Sequence, residues 1–190
     1  MLEFLNHIDT QLFIFLNGIH SPAWDRIMWW ITKTNSWIPM YAIIVGYIIY
    51  KYRWKAILTL LFIALVVTMA DQISVHGFKM VFQRLRPCHN PQLRSIVHLV
   101  NNKCGGQFGF VSSHAANTFG IAVFLSRLFK NKKFIIFIFS WASVVSYSRI
   151  YLGVHYPFDI LGGAILGGGI GFLSYFFYSV ALQKISKQLN

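Results

Sequence analysis

KKFIIFIFSWASVVSYSRIYLGVHYPFD, residues 132–159, decides the architecture of this chain. Two lysines open the stretch, an uncharged run follows from Phe134 to Ser148, and Arg149 closes it. A helix needs roughly 20 residues to cross a hydrocarbon core of about 30 Å, so residues 133–153 are expected to span a membrane. Past Arg149 the chain reaches Pro157, a residue suited to the first turn of a helix. A second uncharged run then extends from Ile160 to Gln183.

Working outward, the same pattern recurs. Residues 35–51, 54–75, 114–130 and 157–183 are further candidate spans, uncharged from Thr34 to Tyr50 in the first and from Ala56 to Ala70 in the second. The 190 residues are 56% hydrophobic and 12% charged, against about 25% charged in soluble domains. The expected fold class is therefore all-α, a polytopic membrane helix bundle of about five to six transmembrane helices. It forms one domain over residues 1–190, with no repeat or linker. Residues 1–34 mix apolar positions with Asp9, Asp25, Arg26 and Lys33. With Trp24, Trp29 and Trp30 suited to a lipid interface, they read as amphipathic helices lying on the outer face, beside a transmembrane bundle over 35–183. A sixth spanning helix drawn from this region is the competing reading.

The net charge is +12. Nucleic acid is one partner for such a balance, but the distribution argues against it. Nine cations fall in three clusters beside apolar runs: Lys51, Arg53 and Lys55; Arg127, Lys130, Lys132 and Lys133; Lys184 and Lys187. Cytoplasmic loops look like this under the positive-inside rule. No cleavable leader is expected, because the first cation is Arg26. With the clusters in the cytoplasm, the remaining polar motifs share the opposite face. In a Gram-negative cell that face is periplasmic, giving an integral protein of the bacterial inner membrane.

Those motifs lie at Lys79–Pro87 (KMVFQRLRP), Val111–His114 (VSSH) and Ser148–Asp159 (SRIYLGVHYPFD). Cations near membrane depth are costly and tend to be functional. His155 and Asp159 are four apart, on one face if helical, so the carboxylate can fix the imidazole tautomer and free the other nitrogen to attack. Taken alone, the pair reads as a satisfied interfacial histidine. Ser112, Ser113 and His114 precede a helix-compatible run, where free N–H groups attract an anion. Lys79, Arg86 and Arg149 can grip phosphoryl oxygens, the arginines as planar forks, or can snorkel to headgroups. Arg84, Arg94 and Lys103 fit snorkelling better, or a second anionic group on the substrate.

The order K-x6-R-P, P-S-G-H, S-R-x5-H-x3-D resembles the type 2 phosphatidic acid phosphatases (PAP2), membrane lipid phosphatases. The first and third motifs match at every fixed position; in the second, Val111 stands for Pro and Ser113 for Gly. The resemblance runs from the second span to the end of the fifth. It implies a catalytic set of His155 as nucleophile through a phosphohistidine, His114 as general acid, and Asp159. It further implies phosphate binding by Lys79, Arg86, Arg149, Ser112, Ser113 and Ser148. Loss of Gly at 113 is expected to change the pocket shape with activity retained. The related vanadium-dependent haloperoxidases share the motifs but are soluble.

No cofactor is expected. No metal is expected either, since no His-x3-His or Cys-x2-Cys pair occurs and acids are few. Cys88 and Cys104 share the loop 87–110 and are a disulfide candidate in an oxidising compartment, against two unpaired thiols. Gly163, Gly167 and Gly171 are spaced for close helix packing rather than for a phosphate loop. The expected partners are a lipid phosphate substrate and membrane lipids, with no nucleic acid. Undecaprenyl diphosphate leads narrowly, because the compact loop leaves little room for a lipid A headgroup. Lipid A phosphates, phosphatidylglycerol phosphate and phosphatidate are the alternatives. An anion or lipid transporter is the non-enzyme alternative, though it leaves the motif spacings unexplained.

Overall fold

The computed structural model describes residues 2–188, and the regular structure among them is helical. Helices α1 (Leu2–Gly18) and α2 (Pro22–Thr32) form an N-terminal pair. Ser21 caps α2 by accepting from Trp24 N at 3.4 Å, with Pro22 in the first turn. A 3-10 turn, Thr34–Trp37, leads into α3 (Ile38–Tyr52). Then comes α4 (Lys55–Gln72), which continues without a break through a π-helical segment, Ile73–Lys79, into α5 (Met80–Phe82). The second expected span therefore runs past residue 75, and Lys79 sits on its helical continuation. Helices α6 (Ser113–Phe129), α7 (Lys132–Tyr151) and α8 (Pro157–Gln188) complete the chain. Asn131 caps α7 through Phe134 N at 3.1 Å.

Among the described residues, three helices are long and apolar enough to cross a membrane: Lys55–Phe82, Lys132–Tyr151 and Pro157–Lys187. Helices α3 and α6 have 15 and 17 residues. Large apolar side chains point outward from α3, α4, α7 and α8, among them Ile43, Ile57, Ile136 and Ile165. A surface of this kind suits lipid better than water.

Helix α6 is the buried axis of the bundle, with Ala115, Ala116, Ala122 and Phe124 fully enclosed. It lies against α8 along the expected glycine seam. A Cβ at Gly163, Gly167 or Gly171 would collide with the backbone carbonyls of Ser112, Ala116 and Gly120 respectively. Only hydrogen side chains let the two backbones meet, and dispersion between them then replaces side-chain interdigitation.

The α4–α5 end, the start of α6, the end of α7 and the start of α8 gather at one end of the bundle. The loop from 83 to 112 covers it, with Cys88 bonded to Cys104 and their Cα atoms 5.9 Å apart. The N-terminal pair docks on the same end. Asn17 Nδ2 donates to the carbonyls of Ile150 (3.2 Å), Tyr151 (2.8 Å) and His98 (3.1 Å). Phe13 packs edge-on against Tyr156 at 5.4 Å. From α2, Asp25 accepts from Tyr151 Oη at 2.7 Å and pairs with His98 Nε2 at 2.8 Å.

Candidate active site

His155 lies between α7 and α8, held by its own N–H to the Arg149 carbonyl at 3.3 Å. The residue is 1% exposed. Nδ1 meets Asp159 Oδ2 at 3.2 Å. Pro157 starts α8, so Asp159 falls in its first turn, one turn beyond His155. Asp159 is fully buried and well partnered. Oδ2 also accepts from Tyr156 N at 3.0 Å, and Oδ1 accepts from Arg84 Nη1 at 2.9 Å. Burial, then the nearby charges of Arg86, Arg149 and Lys79, hold the His155 imidazole well below its ordinary value. A neutral imidazole with one nitrogen engaged is the form that can act as a nucleophile.

The three motif cations converge around this ring from three elements. Lys79, at the end of the π-helical segment, donates to Ser113 Oγ. Ser113 Oγ also lies 2.6 Å from Ser74 Oγ. The serine that replaces the expected glycine thus occupies a defined place in a Ser74–Ser113–Lys79 network. Arg86 is anchored by the loop: Nε donates to the Phe108 carbonyl and Nη1 to that of Cys104, each at 3.2 Å. Arg149, from the end of α7, gives Nη1 to Thr32 Oγ1 at 2.6 Å, while its Nε is buried without a partner. Ser112 Oγ is likewise buried and unpartnered. Buried groups of this kind carry a desolvation cost.

Ser112 ties the motifs together through its backbone, N–H to the Asp159 carbonyl at 2.9 Å. His114 stands in the first turn of α6, half-buried. The Ser148 hydroxyl is directed elsewhere, donating to the Val145 carbonyl at 2.6 Å inside α7. Gly109 closes the site from the loop side; a Cβ there would lie 2.9 Å from Asp159 Oδ2 and 3.5 Å from His155 Nδ1.

A family model described as the PAP2 superfamily matches residues 56–182. The chain belongs to the PAP2 superfamily. A lipid A 4'-phosphatase of Bacteroides thetaiotaomicron is 48% identical over 93% of this chain and 79% of its own length. A second lipid A 4'-phosphatase, from Porphyromonas gingivalis, is 35% identical over 100% of this chain and 79% of its length. An undecaprenyl-diphosphatase of Sulfolobus acidocaldarius is 29% identical over 96% of the chain and 84% of its length. The fold matches the crystal structure of a PAP2 phosphatidylglycerolphosphate phosphatase from Bacillus subtilis, with TM-score 0.66 and 26% identity, covering 95% of this chain and 87% of that one. It also matches the crystal structure of Aquifex aeolicus LpxE, with TM-score 0.65 and 23% identity, covering 87% and 93%. The PAP2 chain is an integral membrane lipid phosphatase.

The sequence motifs did not reveal every residue at this PAP2 site. Arg84, read above as snorkelling to headgroups or meeting a second anionic group on the substrate, bonds two buried carboxylates, Asp159 and Asp9. Thr32 and Asp9 lie outside the family match and reach the site from α2 and α1. Two hollows adjoin it. One, of about 1010 Å³, runs between α1 and the loop past Arg84, Phe110 and Phe158. The other, of about 340 Å³, is apolar and descends from His114 between α3, α4 and α6.

Proposed function

We propose that this chain removes phosphate from lipid A, with His155 as nucleophile. The observation that carries the substrate is the 48% identity, over 93% of the chain, to a protein named lipid A 4'-phosphatase. The hollow beside Arg84 supports it: a mixed polar and aromatic cleft of about 1010 Å³ offers the headgroup room that the short loop did not promise.

In the first step the Nε2 lone pair of His155 attacks phosphorus. The bond from phosphorus to the sugar oxygen breaks, and His114 gives that oxygen its proton. In the second step a water oxygen attacks the phosphohistidine, the P–N bond breaks, and His114 takes the water proton. The products are inorganic phosphate and the free sugar hydroxyl. Lys79, Arg86 and Arg149 stabilise charge on the equatorial oxygens. The unpartnered Arg149 Nε and Ser112 Oγ support the phosphoryl position. Ser113 acts through Lys79, and Ser148 shapes the end of α7.

We read the chain as one domain. Helix α3, prolonged by its preceding 3-10 turn, and α6 join the three long helices to give five spans. Residues 1–34 lie at the interface, with the site at the periplasmic face of the inner membrane and the Cys88–Cys104 bond on that oxidising side. The apolar hollow below His114 suits an acyl chain entering sideways between helices.

The test is phosphate release in detergent with EDTA present, over lipid A bisphosphate, undecaprenyl diphosphate, phosphatidylglycerol phosphate and phosphatidate, with the lipid products weighed by mass spectrometry. Fastest loss of one phosphate from lipid A, abolished in His155→Ala, is the expected result. Faster turnover of undecaprenyl diphosphate overturns the substrate, and activity in His155→Ala overturns the nucleophile.

A further inference from the structure

Asp9 is the most deeply buried charge of the N-terminal helices, 0% exposed on α1. Its two oxygens are both used, one by the start of α8 and the other by Arg84 of the loop. Oδ1 accepts from Phe158 N at 2.9 Å, capping the first turn of α8 from a different helix. Oδ2 accepts from Arg84 Nη2 at 2.7 Å. Arg84 Nη1 goes to Asp159 Oδ1 at 2.9 Å. The guanidinium lies over the Tyr156 ring, 4.2 Å from its centroid, which fixes its plane.

The geometry points to Asp9 and Arg84 as positioning residues for Asp159, so that α1 is a working part of the active site. This rests on the reading above that Asp159 orients His155. The physical reason lies in the fork. A guanidinium facing a lone carboxylate prefers two parallel bonds, one to each oxygen. Such a fork on Asp159 would take Oδ2, the oxygen that His155 Nδ1 needs. Asp9 occupies the second arm of Arg84 and leaves Asp159 with a single bond on Oδ1. Oδ2 stays free for His155 and Tyr156 N. The Phe158 cap meanwhile fixes the turn of α8 on which Asp159 stands. Arg84 stands at a variable position between Lys79 and Arg86 of the first motif, Asp9 lies outside all three motifs, and Asp9 precedes the family match at residues 56–182.

The test measures kcat and KM on whichever lipid phosphate of the panel above the wild type turns over fastest. The variants are Asp9→Asn, Arg84→Gln, Arg84→Lys and the double variant Asp9→Asn with Arg84→Gln, each checked by thermal melting in detergent. A kcat loss of about 10- to 100-fold is expected in both single variants, the usual range for outer partners of a reacting group, with KM held. The double variant is expected to lose less than the two single losses combined, because part of the Asp9 effect runs through Arg84 and part through the Phe158 cap. Arg84→Lys keeps the charge and loses the fork, so it too is expected to lose turnover while melting normally. That variant decides the matter if Asp9→Asn does not fold. Wild-type kcat in folded Asp9→Asn and Arg84→Lys overturns the proposal. So does a raised KM at unchanged kcat, or fully additive losses in the double variant. His155→Ala runs alongside: activity there breaks the nucleophile assignment, whereas an inactive His155→Ala beside fully active Asp9→Asn and Arg84→Lys breaks only this one.

Discussion

Gly109→Ala adds one methyl group and is expected to damage catalysis far more than folding. The new Cβ would lie 2.9 Å from Asp159 Oδ2 and 3.2 Å from Arg86 Cγ, where ordinary contact begins at 3.4 Å. Asp159 Oδ2 must therefore retreat by about 0.5 Å to restore a normal contact. It is the oxygen that holds His155 Nδ1, at 3.2 Å. A retreat of that size takes the pair beyond useful hydrogen-bond length and lets the imidazole turn. Misplacement of a reacting group by about 1 Å can cost about 100-fold, so a half-ångström shift at the orienting carboxylate is assigned about 10- to 100-fold in kcat. In free energy that is about 1.4–2.7 kcal/mol at the transition state. The assay is phosphate release by purified protein in detergent, with melting followed by intrinsic fluorescence. Gly106→Ala is the control, since a Cβ there meets nothing within 4 Å. A folded Gly109→Ala enzyme with turnover equal to that of the Gly106→Ala control would refute the reasoning. It would mean that the carboxylate can shift without cost, or that its bond to His155 does not matter.

The remaining predictions concern other parts of the structure. Gly167→Leu should push α6 from α8 and destabilise the bundle by about 3 kcal/mol or more, since the opposing atom is a backbone carbonyl that cannot rotate away; Gly169→Leu, facing open space, should melt with the wild type. Arg149→Lys should lower kcat/KM by about 100-fold, because charge remains while the planar fork is lost; this is read from initial rates at low substrate. Burial raises the Asp25 carboxyl, but hydrogen bonds from Tyr151 and His98 outweigh it and leave the group below the ordinary aspartate value of 3.8. A carboxylate lowered by folding stabilises the folded state above its unfolded value and ceases to as pH falls through its folded one. Docking of α2 should therefore weaken below about pH 4, seen as a change in Trp24, Trp29 and Trp30 fluorescence, and Asp25→Asn should remove that limb.

The helices and the core of the site were legible because each rests on local signals. Apolar length and flanking lysines marked α7 and α8, and the i,i+4 spacing alone paired His155 with Asp159. The seam at Gly163, Gly167 and Gly171 was readable for the same reason. Two things were hidden. The π-helical continuation of α4 has no periodic signature, and Val75 to Phe82 mixes His76, Gly77 and Lys79 into the apolar run. The partners of Arg84 come from residues 75 positions away on either side, and nothing in KMVFQRLRP distinguishes Arg84 from a headgroup-seeking cation. Thr32 beside Arg149 is a contact over 117 positions, equally silent in sequence. Polar residues in 1–34 spoke against a simple span, but only the fold gave Asp9 an address.

The bond between Asp9 and Phe158 N joins positions 149 apart in the chain. At roughly 5–20 residues per second of synthesis, Asp9 leaves the ribosome on the order of ten to thirty seconds before its partner exists. During that interval the nascent chain already carries the Lys79, Arg86 and His114 segments in order, yet lacks the turn that Asp9 caps. Helices α1 and α8 can therefore join through this bond only late in synthesis, after Phe158 has been added.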